Sequence, residues 1–169
     1  MTDSTTHTSN HEWQEATIEA VKVETLTVKS FVLRPRTFHP FCAGQHVEVR
    51  LTAPDGYQAH RSYSICSSPH VKGTIELAIE ELPTGEVSPY FHEVAQIGDV
   101  VETRGPFTTH FAWRPEEHGE VLLIGGGSGV APLMSMVRLR AALSHAPPMT
   151  LVYSARSWRD VIFREELLQ

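Results

Sequence analysis

Two cysteines in 169 residues, Cys42 and Cys66, make no disulfide framework, and a zinc or iron–sulfur centre would need about four ligands. Positive charge is also short. Fourteen Lys and Arg against twenty Asp and Glu leave a net charge of -6, which argues against a nucleic-acid or anionic-membrane surface. No apolar run approaches a membrane span, and the opening MTDSTTHTSNHEW has neither a basic nor an apolar signal region. A cytoplasmic location with no membrane attachment is therefore expected. The ten histidines are scattered, and their only helically spaced pair, His7 and His11, lies in that polar opening, so no metal site is expected. What remains is a chain with 41% hydrophobic residues, enough for a packed core.

Residues 1–14 carry few apolar side chains and no period, which predicts a mobile leader. From Thr17 the pattern becomes strand-like, with Ile18, Ala20, Val21 and Val23, then Leu26, Val28, Phe31 and Leu33, alternating imperfectly with polar residues until Pro35. Val47, Val49 and Leu51 share one face ahead of a Pro-Asp-Gly turn. Further strands are predicted over residues 61–67, 74–82 and 99–103, with a short helix opened by Ser88-Pro89 between the last two. Six short strands with one small helix predict an antiparallel β-barrel domain over residues 15–112. The charged segment WRPEEHG, residues 113–119, contains Pro and Gly and reads as a linker. After it, strand 121–124, a helix over about 132–144, strand 150–154 and a helical pattern from about Arg159 follow the β-α-β-α order of a parallel, three-layered sheet. Two parallel strands fall short of a doubly wound domain. Residues 120–169 are thus expected to form an incomplete, Rossmann-like α/β domain.

Three stretches carry candidate chemistry. In VLLIGGGSGVAP a short apolar strand runs into Gly125, Gly126, Gly127, Ser128 and Gly129, then into a helix opened by Pro132. Such a β-to-α step presents backbone N–H groups to a phosphate, although the spacing is not G-x-G-x-x-G, and a tight turn feeding a buried helix has the same pattern. In RSYS, strand alternation puts Arg61 and Tyr63 on one side and Ser62 and Ser64 on the other. An Arg fork beside an aromatic face suits a flat, phosphorylated ligand, and it equally describes ordinary surface residues. In GEVSP, Ser88 is a good N-cap, Pro89 a good N1 residue, and Gly85 allows close approach to the backbone; a plain helix cap reads the same way.

Taken together, AGQHVEVRL, RSYSICSSP, GEVSPYFHE, GDVVETRGPF, GGGSGVAPLMSMVR and YSARSWRDVIFREEL, in that order, resemble the ferredoxin-NADP reductase superfamily over residues 13–169. The resemblance implies a flavin-binding β-barrel, residues 15–112, followed by the start of an NAD(P)-binding domain. It implies a flavoprotein reductase that takes hydride from NADPH or NADH at flavin N5 and delivers electrons to a protein acceptor, such as a ferredoxin or an oxygenase component. The flavin would be FAD, with FMN as the alternative. By position, Arg61 would bind the flavin pyrophosphate, Tyr63 stack on the isoalloxazine, and Ser64 hydrogen-bond near N5. Gly85, Val87 and Ser88 would hold the pyrophosphate, and the strand around Ile79 would border the cofactor. Gly126, Gly127, Gly129 and Pro132 match the nicotinamide-nucleotide loop, and Arg156 would meet the dinucleotide phosphates. Two departures stand out: Ala43 where Pro often precedes Gly-Gln, and Thr108, Thr109 and His110 where a glycine commonly follows Gly-Pro. The family pattern also continues with further βα units beyond the one ending near Gln169. The alternative reading is a non-catalytic flavin-binding module, or a fragment of a longer reductase without a complete nicotinamide site.

Overall fold

The computed structural model describes residues 11–107, 110–116 and 119–169. Residues 1–10 of the leader expected over residues 1–14, and Thr108 and Thr109 of the departure, lie outside the described residues. The end of that leader is anchored: the Trp13 ring sits between the guanidinium groups of Arg50 and Arg104, 4.3 and 4.6 Å from them.

Six strands form the first sheet: β1 (Gln14–Val23), β2 (Val28–Pro35), β3 (His46–Thr52), β4 (Gln58–Ser64), β5 (Ile75–Glu80) and β6 (Val100–Phe107). Their order is β4-β3-β6-β1-β2-β5, with every adjacent pair antiparallel. A bridge between Ile65 and Leu77 brings the two outer strands together and closes the barrel. The imperfect alternation in the first strand has a physical cause: the register with β2 shifts between Ile18 and Ala20, so Glu19 is an extra residue in a bulge. Alternate side chains fill the interior, and Ile18, Phe31, Leu33, Val49, Leu77 and Ile79 are fully buried. Each such burial stabilises by about 1.5–3 kcal/mol. Helix α1 (Ser88–Glu93) closes one end by inserting Phe91 against Phe31, ring centroids 4.9 Å apart.

Trp113, expected to open a linker, instead pairs with Ala43 as a β-bridge and is buried. That bridge depends on Gly44, whose φ of 94° favours glycine and whose added Cβ would lie 2.5 Å from the Phe111 carbonyl oxygen.

The second unit begins with β7 (Val121–Gly126), a 3-10 turn (Gly127–Val130), α2 (Ala131–Ala141) and β8 (Met149–Ser154), with β7 and β8 parallel. The helix expected from Arg159 is not continuous. A 3-10 turn (Trp158–Asp160) capped by Ser157 is followed by a single helical turn, α3 (Arg164–Leu167), because Phe163 takes a left-handed φ of 57° that breaks the helical path. The strain is offset by burial of Ile162 and Phe163 in a core shared with Val28, Cys66 and Ala78 of the barrel, Val130 of the 3-10 turn and Met134 of α2. The three-layered sheet is likewise incomplete: α2 covers one face, while Leu122, Ile124 and Val152 are exposed on the other. Polar ties cross the same boundary. Ser135 donates its buried hydroxyl to the Ser67 carbonyl at 2.7 Å. Arg138 donates to the Cys66 carbonyl, to Glu76 and, with two nitrogens, to Glu166. No helix among the described residues is long and apolar enough to cross a membrane.

Candidate functional site

Arg61 and Tyr63 lie on β4 opposite the buried Val49 and Val47 of β3. Tyr63 and the alternately facing Ser64 are both half-buried, at the end of β4 where Ile65 bridges to Leu77. The Tyr63 ring meets Phe91 edge-on, centroids 6.3 Å apart. Burial pushes its phenol up to about 12 against the pull of Arg61, so Tyr63 is a neutral aromatic wall rather than an acid.

Arg61 already grips an anion. Its Nη2 donates to Glu86 Oε2 at 2.7 Å and its Nη1 to the His60 carbonyl at 2.7 Å, while 51% of the side chain stays open to solvent. The Tyr57 hydroxyl donates to the other oxygen of Glu86. The Tyr57 hydrogen bond and the Arg61 guanidinium hold the Glu86 carboxyl below the usual carboxylate range. Next to Glu86, Gly85 lets the loop close tightly on itself: an added Cβ would lie 2.9 Å from Ser88 Oγ and 3.0 Å from the Leu82 carbonyl.

Ser88 is not the N-cap that its sequence context predicts. Val87 occupies that position, and the Ser88 hydroxyl turns back to accept from the Leu82 N–H at 3.0 Å. The loop is thereby closed on itself, and with six residues α1 has little dipole to offer an anion. The cationic group here is Arg61. Val87 and Ile79 are fully buried in the barrel core, and the Ile79 carbonyl meets His92 Nε2 at 2.9 Å, so neither side chain reaches the rim.

A crevice of about 360 Å³ lies between the barrel and the glycine loop, bordered by Thr27, Glu80, Gly126, Ser128, Ser154 and Arg156. It sits at the carboxyl ends of β7 and β8, where open α/β sheets bind ligands. Gly127 takes φ 52°, and an added Cβ on Gly125 would lie 2.6 Å from Leu133 Cδ1, so the loop packs tightly behind. In front, nothing lies within 4 Å of a Cβ built on Gly127 or Gly129, and one built on Gly126 meets only the Ser154 carbonyl, at 3.6 Å. Pro132 stands in the first turn of α2. Two groups brace the loop: Ser128 donates to Glu80 Oε2 at 2.6 Å, and the Tyr153 hydroxyl donates to the Gly127 carbonyl at 3.0 Å. Arg156 is 91% exposed and 4.0 Å from Glu80.

The structure thus gathers Gly126, Gly127 and Arg156 at one crevice and Arg61, Gly85 and the Glu86 carboxylate at the barrel rim, with β5 and its following loop running between them. Sequence reading missed Glu80, Glu86, Tyr57 and Tyr153. Glu86 lies inside a motif that drew attention for its glycine and serine, and Tyr57 follows a turn 29 residues away; only the folded chain brings them together.

A family model described as an oxidoreductase FAD-binding domain matches residues 17–113, and one described as an oxidoreductase NAD-binding domain matches residues 123–169. The glycine betaine monooxygenase reductase subunit of Chromohalobacter salexigens is 37% identical over 155 residues, covering 89% of this chain and 41% of that protein. The reductase component of propane 2-monooxygenase from Mycolicibacterium goodii is 28% identical over 160 residues, covering 92% and 45%. Among solved structures, the Amycolatopsis cytochrome P450 reductase GcoB matches with a TM-score of 0.80 at 26% identity, covering 94% of this chain and 48% of the other. The chain spans less than half the length of these relatives. Barrel, glycine loop and both family matches agree: the chain belongs to the ferredoxin reductase-like family of FAD- and NAD-binding oxidoreductases.

Proposed function

We propose that this chain is the FAD- and nicotinamide-binding part of an NAD(P)H-dependent reductase that serves a protein electron acceptor, an oxygenase component or a ferredoxin. The observation that carries this reading is the placement of two phosphate-type sites on one strand and its loop: Glu80 of β5 borders the glycine-loop crevice, and Gly85, five residues on, borders the Arg61 fork. The donor set fits a flavin phosphate. Arg61 is half exposed and already takes a carboxylate, and the absence of a side chain at Gly85 lets the loop beside it fold tightly.

A bound flavin supplies hydride acceptance from NADH or NADPH and release of single electrons. The chain's own contribution is positional. Arg61 neutralises and orients phosphate, Tyr63 offers a neutral ring face, and Ser64 offers a hydroxyl donor at the end of β4. Gly85 with the backbone of Val87, and the Ser88 hydroxyl through the Leu82 N–H, shape the loop around the phosphate. On the other side, Gly126, Gly127 and Gly129 present backbone, Pro132 fixes the start of α2, and Arg156 adds positive charge. No group on this list transfers a proton; orientation is the catalytic resource.

A second reading, a flavin-binding module that does not turn over nicotinamide, draws on the exposed outer face of β7 and β8. One experiment separates the two. The full chain is saturated with FAD and mixed anaerobically with NADH or NADPH: bleaching supports the reductase, a yellow protein that stays yellow supports the module, and a protein that never takes up flavin refutes both. Arg61→Ala is expected to weaken FAD binding about tenfold or more.

A further inference from the structure

Glu86 stands where an anionic ligand would stand. Its two carboxylate oxygens are taken by two donors from different places in the chain, the Arg61 guanidinium at 2.7 Å and the Tyr57 hydroxyl. Gly85, immediately before it, packs against Ser88 and Leu82, and the Ser88–Leu82 hydrogen bond fixes the loop that carries Glu86. Two oxygens on two donors is also how one phosphate edge is held.

We infer that Glu86 is an internal competitor for the flavin phosphates, an affinity-setting residue whose carboxylate fills the Arg61 fork until a diphosphate displaces it. This rests on the reading of Arg61 as a phosphate ligand. Two consequences weaken binding. The Arg61–Glu86 ion pair must break, and the displaced carboxylate then faces the incoming negative charge across a short loop. A carboxylate is fully ionised at neutral pH, so the block persists there. Both side chains are about half exposed, so the effect is modest: it sets how readily flavin exchanges, not whether it binds.

The test titrates the full chain with FAD, with inorganic pyrophosphate and with riboflavin, which has no phosphate, following flavin fluorescence or heat. Glu86→Gln keeps the shape and removes the charge. It is expected to bind FAD and pyrophosphate about two- to fivefold more tightly and riboflavin unchanged. Unchanged or weaker FAD binding by Glu86→Gln, while Arg61→Ala still weakens it, overturns the inference alone. An equal gain from Glu86→Gln in the Arg61→Ala background also overturns it, since general repulsion and not occupancy of the fork would then be responsible. If Arg61→Ala leaves FAD affinity intact, the phosphate reading of Arg61 falls, and the inference with it.

Discussion

Replacing Arg138 with methionine is expected to loosen the join between barrel and α/β unit more than any other single charge removal. The guanidinium is 18% exposed, donates at 2.7 and 2.6 Å to the two oxygens of Glu166, at 2.8 Å to Glu76 and at 2.9 Å to the Cys66 carbonyl, and lies 4.9 Å over the Phe163 ring. Burial disfavours its charge, yet its hydrogen bonds to Glu166 and the charge of Glu76 more than restore it, and its pKa is raised. Summing about 1.5–3 kcal/mol for each charge-assisted bond would overstate the effect, because the ion was itself desolvated. Breaking a buried pair costs about 3–5 kcal/mol, and the water access of Glu166 lowers that to about 2–4 kcal/mol. For a chain of this size the melting temperature should fall by about 5–12 °C in thermal denaturation. Arg34→Met is the control. Arg34 makes a similar two-pronged pair with Glu19, but at the surface, and its loss should leave the melting temperature where it was. Arg138→Lys, which keeps the charge and loses the fork, should fall between. Equal melting temperatures for Arg138→Met and Arg34→Met would refute the reasoning.

Two further outcomes follow from the same structure. Gly44→Ala meets both a positive φ and a carbonyl 2.5 Å from the new Cβ, whereas Gly56→Ala meets a φ of 89° with nothing within 4 Å; urea titration should show a loss of about 1 kcal/mol for Gly56→Ala and several for Gly44→Ala. On acidification, the Glu166 and Glu102 carboxyls, held low by hydrogen bonds from Arg138 and Arg50, contribute stability that is complete above the ordinary carboxylate pKa and disappears as pH falls through their lowered values. The urea midpoint should therefore drop below about pH 4.5, and the drop should shrink in Arg138→Met; an unchanged acid slope in that variant would contradict the assignment.

Six strands, the small helix and the β-α-β step were legible because each is written in nearest-neighbour terms: alternation, turn residues, glycines before an apolar helix. Where the pattern misled, tertiary contacts decided. Trp113 sits in a charged, Pro-containing stretch, yet its ring and backbone are captured by Ala43 beside Gly44. The run after Arg159 has helical spacing, yet burial of Ile162 and Phe163 pulls the backbone into a left-handed step. Ser88 has the composition of a cap and is used as a loop clasp. The same limit applies to the candidate site. Arg61, Tyr63 and the glycines could be picked out as residue types, but the carboxylates beside them, Glu80 and Glu86, carry no local signature, because glutamates stand at many positions along the chain and only the fold selects these two.

The core that joins the two units is drawn from both: Val28, Cys66 and Ala78 from one, Val130, Met134, Ile162 and Phe163 from the other. Neither half of that cluster is an independent apolar surface, and the Ser135 and Arg138 hydrogen bonds fasten its margin. Any hinge motion between barrel and α/β unit would have to open this shared core and break those hydrogen bonds.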